Sequence, residues 1–472
     1  MDERHQDALN ASALQGGFTD APSRMTIVGW VLFDPACQPF FTLVTTFVFA
    51  SYFAHVVVGD GARGQALWGY AAGGAGLLVG VLSPFLGALA DATGRYRSGM
   101  AACGLMLVGG SAALWLAVPG APAAVPLALI AFMVALFGAE CALVFANALM
   151  PVLAAPHRLG RLSGLGWAAG YLGGLTALGI VLSFLVADPT TGRTAFGLQP
   201  FFGSDAHAGS GPRIIGPFCA AWFMLFAAPL FLCPCERSHR LPPPQPLGTV
   251  IARLRGSVRR IRRDAELLRF MVARMLYADG LAALFTLGGI YAAGTFGWGP
   301  AQTGIFGALI LVAGIFGALA GGVLNDRIGA HGVILGSIGA LLCALLGMLS
   351  LERDALLFGL VQMEPSAGDF KSPQERIFLA LGLVVGVVAG PLQSSSRVLL
   401  VQMAPARHMG AHFGLFSLSG RVTSFMGPTL AALLTALTAS QKAGMTVPIL
   451  LIAAGGWLLC RRDESGRGGA QA

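Results

Sequence analysis

Gly87-Ala-Leu-Ala-Asp91-Ala-Thr-Gly94-Arg95, followed by Tyr96-Arg97, and Gly322-Val-Leu-Asn-Asp326-Arg-Ile-Gly329 repeat one pattern, Gly-x-x-x-Asp-x-x-Gly, about 235 residues apart. Each copy ends one long apolar run and precedes another. A second echo has an offset of 250 residues: Gly164-Leu-Gly-Trp-Ala-Ala-Gly170-Tyr171 aligns without gaps on Gly414-Leu-Phe-Ser-Leu-Ser-Gly420-Arg421, and Asn147 falls opposite Arg397. The chain therefore reads as two like units in tandem.

The composition says what the units are made of. Of 472 residues, 55% are hydrophobic and 11% charged, and 66 are glycine; a soluble domain carries about 25% charged residues. A soluble enzyme, a disordered chain and a nucleic-acid binder are disfavoured. Crossing roughly 30 Å of hydrocarbon at about 1.5 Å per residue takes about 18 or more apolar residues. About twelve such runs are found, the twelfth of them short: 27–53, 67–89, 100–118, 125–149, 165–186 and 214–232, then 267–293, 303–324, 333–351, 377–401, 413–437 and 447–459. They lack the period-2 alternation of a membrane β-barrel. The predicted fold is an all-α integral membrane protein of twelve helices in two pseudo-symmetric six-helix bundles. Its expected parts are a tail (1–24), a first bundle (25–233), a basic linker (234–266), a second bundle (267–460) and a second tail (461–472). Residues 1–24 carry acids and no apolar core, which disfavours a signal peptide.

The net charge of +8 has a sidedness. With the N-terminus inside, about 19 arginines fall on the inner side and about seven basic residues outside, so both termini are expected in the cytoplasm of a bacterial inner membrane. The arginine-rich stretch 253–263 reads either as an amphipathic segment on the anionic inner surface or as a solvated connector. Eight cysteines, mostly within apolar runs, form no disulfide framework. Cys233-Pro-Cys235 with Glu236 and His239 lacks the spacing of a metal site and reads as a helix end. No metal and no cofactor are expected, and the absence of a Gly-x-x-x-x-Gly-Lys-Ser/Thr loop argues against ATP as a driving force. The bilayer is the expected partner; no nucleic acid or obligatory protein is implied.

Parallel six-span repeats typify one large class of transporters, with substrate held between the halves near mid-membrane. The loop 87–97 resembles the signature loop of the major facilitator superfamily. Phe145-Ala-Asn147-Ala-Leu-Met-Pro151, the glycine-rich run 160–174, Tyr277-Ala-Asp279-Gly280, Gln393-Ser-Ser-Ser-Arg397 and Phe413–Arg421 through Gly427-Pro428 resemble its vacuole-effluxer family. Fungal members of that family export amino acids from the vacuole. In the first span, Phe33-Asp34-Pro35-Ala-Cys37-Gln38 keeps the family's aromatic-Asp start but lacks its tryptophan and asparagine. By this resemblance Asp91 and Asp326 would each contact a helix N-terminus in the opposite half and close an inner gate. Gly94 and Arg95 belong to the first copy; Ala330 stands where a second Arg95 would be.

An ionisable group at the centre of a membrane helix costs about 2.5–3.5 kcal/mol, so buried charges mark pairs or a wet pathway. Six stand well inside the runs: Asp34, Glu140, Arg274, Asp279, Arg397 and Arg421. Asp34, beside Pro35 and one turn before Pro39, is either a coupling-ion or amine site on a bent helix or the partner of an arginine. Asp279 holds the equivalent place in the second unit and is either a proton-coupling acid or one end of a fixed salt bridge. Arg274, five residues earlier, is about 140° away around the helix and a poor partner for it. Glu140 and Asn147 share a helix face, as do Gln393 and Arg397. Arg397 either faces the pathway or snorkels to the interface. Arg421 is the first choice for a substrate carboxylate, with an internal pair to Glu140 or Asp34 as the competing reading. Gln38 and Tyr171 complete the expected pathway. The function expected is a secondary active transporter working by alternating access, exporting a small solute such as an amino acid, with protons as candidate coupling ion. Alternatives are carriage of organic anions or sugars, or a non-transporting receptor or assembly factor of the same fold.

Overall fold

Two prolines shape the first helix. In the computed structural model, described for residues 23–186, 192–194, 196–201, 210–232, 247–364, 370–421, 423 and 426–461, Ser23 caps α1 (Arg24–Val57) by accepting from Thr26 N at 3.1 Å. Pro39 has no N–H for the Pro35 carbonyl one turn earlier. The Trp222 indole donates to that carbonyl instead, at 3.0 Å. Beyond Pro39 the helix runs into π-turns at Phe40–Phe47 and Phe53–Val57. The loss of regular α-helical turns beyond Pro39 thus accompanies a missing donor and a side chain that replaces it.

Five more helices complete the first set: α2 (Gly61–Thr93), α3 (Tyr96–Ala113), α4 (Ala124–Ala148), α5 (Leu159–Ile180) and α6 (Ile215–Leu232). A linker helix, Leu247–Arg263, follows, and Asp264 caps α7 (Ala265–Phe296) through Leu267 N at 3.0 Å. Gly297, at φ 74°, ends α7 in the left-handed region that glycine adopts without strain. Then come α8 (Pro300–Ile328), α9 (Ala330–Leu349), α10 (Pro373–Met403), α11 (Met409–Arg421), α12 (Met426–Thr438) and α13 (Gln441–Cys460). Between α9 and α10 a two-residue strand pair joins Ala355–Leu356 to Val361–Gln362.

Among the described residues eleven helices, α1–α10 and α13, are long and apolar enough to cross a membrane. The run 413–437, expected as a single span, is divided between α11 and α12, of 13 residues each. At about 1.5 Å per residue each covers only ~20 Å, short of the ~30 Å hydrocarbon core. The run between them, Gly420-Arg-Val-Thr-Ser-Phe-Met-Gly-Pro428, is dense in poor helix formers.

Packing follows the sequence repeat. Within the first set, α3 and α2 lie on α4, and α1 lies on α5 and α6; within the second, α8 and α9 lie on α10, and α7 and α12 on α13. The two most extensive crossings between the sets are α2 with α11 and α5 with α8. Glycines make both crossings close. A Cβ on Gly87 would lie 2.0 Å from the Gly410 carbonyl oxygen, and one on Gly164 would lie 2.4 Å from that of Ala318. Helices therefore touch backbone to backbone where the sets meet.

Candidate functional site

A cavity of about 430 Å³ lies between the two sets. Its lining from the first set includes Asp34, Gln38, Glu140, Asn147 and Tyr171; from the second it includes Arg274, Gln393, Arg397 and Arg421. Eight of the nine residues expected along the pathway thus face one space. The exception is Asp279, which is 3% exposed and outside the lining, with Gly427 against its backbone. Arg274, five residues away, faces the cavity in its stead.

The glycine run of α5 explains how α1 brings Asp34 so close. A Cβ on Gly166 would stand 2.7 Å from Asp34 Oδ2, one on Gly173 2.5 Å from Pro35 Cβ, and one on Gly174 2.9 Å from Gln38 Cγ. Earlier glycines of the same run, Gly160 and Gly164, meet α8 on another face. One helix therefore carries two bare faces, each for a different neighbour.

Arg397 is the hub of the cavity floor. Its Nη1 donates to Asn147 Oδ1 at 2.8 Å and lies 3.3 Å from Asp34 Oδ2. Its Nη2 donates to the Ser163 carbonyl at 3.0 Å, and its Nε to Ser163 Oγ at 3.2 Å. The guanidinium lies 5.9 Å and 5.4 Å from the ring centres of Trp30 and Trp167. Arg397 is 5% exposed, so it pairs inside the protein and does not snorkel. The two positions that the 250-residue offset set opposite each other, Asn147 and Arg397, are in hydrogen-bond contact.

A second cross-pair stands beside the hub. Arg421 Nη2 donates to Glu140 Oε1, the internal pairing that was the competing sequence reading for this arginine. Arg274 donates to the Phe416 carbonyl at 2.7 Å and to Ser419 Oγ at 3.1 Å, and its guanidinium stacks on the Phe416 ring. Tyr277 Oη and Ser396 Oγ are 2.7 Å apart. Asp279 Oδ1 and Thr423 Oγ1 are buried without hydrogen-bond partners among the described residues. Of the six ionisable groups expected in the interior, four form two pairs across the sets. A pocket walled by guanidiniums and carboxylates can hold a small solute that bears either charge or both.

Both signature loops sit at the crossings. Asp91 accepts from Gly410 N and Ala411 N, each at 2.8 Å, at the start of α11. Asp326 accepts from Gly160 N at 2.8 Å and Arg161 N at 3.3 Å, at the start of α5. Arg161 Nε also lies 3.4 Å from Asp326. Each carboxylate lies at the positive end of a helix dipole in the other set. Gly94, at φ 68°, turns the chain between α2 and α3. The Arg95 guanidinium is exposed and makes no ion pair or hydrogen bond among the described residues. Its neighbours do more: Tyr96 Oη donates to Asp91, and Arg97 donates to the carbonyls of Leu230 and Phe231 at the end of α6.

Sequence reasoning left Trp30, Ser163, Trp167, Tyr277 and Ser396 out of the site. Trp167 and Tyr277 stand inside quoted motifs, so aromatic residues beside the charges were the available signal. Ser163 and Ser396 stand inside those motifs as well, but a serine among glycines or other serines is ordinary packing material. Cys233, Cys235, Glu236 and His239 lie outside the described residues.

Comparison with known proteins joins these observations. Residues 66–470 match the family described as "Vacuole effluxer Atg22 like". An uncharacterized MFS-type transporter of Bacillus subtilis, YxiO, is 23% identical over 441 residues, 90% of this chain and 92% of that one. Autophagy-related protein 22-2 of Aspergillus clavatus is 25% identical over 288 residues, 58% of this chain and 43% of the relative. Among solved structures, the major facilitator transporter FucP in its outward conformation superposes with TM-score 0.67 at 14% identity, covering 93% of this chain and 98% of FucP. The human organic anion transporter MFSD10 gives TM-score 0.65 at 15% identity, over 92% and 98% of the two chains. With the major facilitator fold, paired signature loops on the inter-set crossings and a match over most of its length, this integral membrane transporter belongs to the vacuole effluxer Atg22-like family.

Proposed function

We propose that the protein is a secondary active transporter working by alternating access, whose cargo is an amino acid or similar small zwitterion moved outward, with protons as the coupling ion. One observation carries the reading: a polar cavity between two like helix sets, lined by carboxylates and guanidiniums that pair across the sets. A zwitterion offers each member of such a pair a partner, so cargo binding trades protein–protein ion pairs for protein–cargo pairs. The charged latches of Asp91 and Asp326 join the sets on one side of the cavity and serve as the gate. Both termini are assigned to the cytoplasm of a bacterial inner membrane. Asp34 is the coupling candidate, since its protonation removes its charge from Arg397.

The test is flux of labelled amino acids from reconstituted vesicles. Saturable flux that rises with an imposed pH gradient is expected, and Asp34→Asn should abolish the gradient dependence. Absence of saturable flux under any gradient would favour a non-transporting receptor with this fold. A second reading has one observation on its side: three lining arginines face two lining carboxylates, Asp34 and Glu140. That excess suits organic anions, and a thermal-shift panel of amino acids, organic acids and sugars separates the classes.

A further inference from the structure

The linker helix Leu247–Arg263 carries six arginines and no acidic residue. It has two working faces. Val250, Ser257 and Ile261 are buried, and Val250 and Leu254 pack against Ala88 and Ala92 of α2 and Ala411 of α11. On that side Arg253 Nη1 donates to the Asp91 carbonyl at 3.2 Å. The helix thus sits over the α2–α11 crossing, and its C-terminal end leads directly into α7 through Asp264. The opposite face exposes Ile251 and Val258 among Arg255, Arg259 and Arg262. Arg255, Arg259, Arg262 and Arg263 have no ion-pair or hydrogen-bond partner among the described residues. An open hollow on this face, about 490 Å³, is lined by Gly248, Ile251, Ala252, Arg255, Gly256 and Arg259.

We propose that this outer face is a docking site for the phosphate headgroups of anionic phospholipids, and that their binding holds the α2–α11 latch closed. The proposal rests on the gate reading given above. Charge complementarity names the occupant: unpartnered guanidiniums with interspersed aliphatic side chains match an anionic headgroup layer above acyl chains. Arg255 and Arg259, one helical turn apart, line this hollow with Gly248, Ala252 and Gly256, which are small enough to leave a phosphate room to approach and take forked hydrogen bonds. Coupling to the gate follows from the inner face. The seat of Val250 and Leu254 is built from both α2 and α11, so it is complete only while those helices cross. A lipid that binds the seated helix therefore favours the closed latch by its differential affinity.

Two measurements on the full chain test this. Native mass spectrometry from phosphatidylglycerol-containing micelles should count fewer retained phosphatidylglycerol molecules on the Arg255→Gln/Arg259→Gln variant than on the wild type. Equal counts would overturn the docking site, whatever the gate does. The second measurement reads the latch, by spin-label distances between Ser98→Cys and Gln402→Cys, with Cys233, Cys235, Cys343 and Cys460 changed to serine. Replacing phosphatidylcholine vesicles by equimolar phosphatidylcholine and phosphatidylglycerol should raise the ratio of short to long distances at least about fivefold, the factor for one arginine at ~1 kcal/mol. The Arg255→Gln/Arg259→Gln variant should lose that rise and keep the wild-type ratio in phosphatidylcholine. An unchanged wild-type ratio between two populated distances overturns the coupling alone. A single distance under every condition overturns the gate reading with it. The same rise produced by inorganic phosphate in phosphatidylcholine vesicles would assign the face to a soluble anion and overturn the lipid.

Discussion

Arg397 illustrates how much one buried charge can organise. It holds Asp34, Asn147 and Ser163, residues of three helices in the other set, while two tryptophans flank its guanidinium. Removing one partner of a buried pair leaves the other charge uncompensated, at about 3–5 kcal/mol. Arg397→Ala should therefore lower the thermal midpoint sharply, and Asp34→Asn in the same chain should restore part of the loss. Wild-type stability for the single variant would mean that the hub carries no load. Arg421 differs, since its side chain is 38% exposed against 10% for Glu140. Arg421→Ala should abolish binding of a carboxylate cargo with the fold retained. Glu140→Gln should leave binding of a carboxylate without an amine intact or strengthen it, because it releases the guanidinium from a competitor. It should weaken binding of a zwitterion, which loses its amine partner. Equilibrium binding of a labelled substrate decides; unchanged affinity in Arg421→Ala would sink that assignment.

Among elements, the two inter-set crossings are the parts with least room. Valine at Gly87 or Gly164 must displace backbone, since a Cβ alone would stand 2.0 Å or 2.4 Å from a carbonyl oxygen. Overpacking of this kind costs about 1–3 kcal/mol, and only the crossed arrangement bears it. Both variants should therefore populate the separated arrangement, read as a longer Ser98–Gln402 spin-label distance. Gly76→Val and Gly109→Val are the controls, because a Cβ at either position meets nothing within 4 Å. Equal behaviour of all four variants would show that the crossings do not limit the motion. Gly87 and Gly164 were visible in the sequence as repeated motif positions, but which glycines face a neighbour was not. Gly73 and Gly160 look alike in sequence, yet only the second has another helix against it.

At the scale of the molecule the proposed gate consists of the two signature loops, twin latches on one side of the cavity. Each sets a carboxylate on a helix N-terminus of the opposite set, an interaction of about 0.3–1 kcal/mol when exposed and up to ~2 when partly buried. The latches share no residue, so their contributions should add. Asp91→Asn and Asp326→Asn should each lower the closed-to-open ratio by up to ~30-fold, with the double variant near the product, in the same distance measurement. Asp91 should matter more, because Tyr96 joins two amides at 2.8 Å on it, whereas one of the two amides on Asp326 stands at 3.3 Å and its side-chain partner, Arg161, is largely exposed. A double variant no worse than either single one would mean that the two loops form one device.

Helices in a membrane, their repetition in two like sets and the location of the signature loops were determined by the sequence alone. Insertion into hydrocarbon is a local cost, settled residue by residue within about twenty positions, so the length of an apolar run reports it directly. Helix faces were also legible: the seven-residue spacing of Glu140 and Asn147 put both on the cavity. The tertiary structure alone decided which charge meets which. It joined Arg397 to Asp34 across 363 residues and Arg421 to Glu140 across 281, turned Arg274 inward and Asp279 away, and divided the run 413–437 between two helices. Those outcomes depend on how two separately inserted sets pack, and a pairing across that interface leaves no periodic trace in either partner's own stretch of chain.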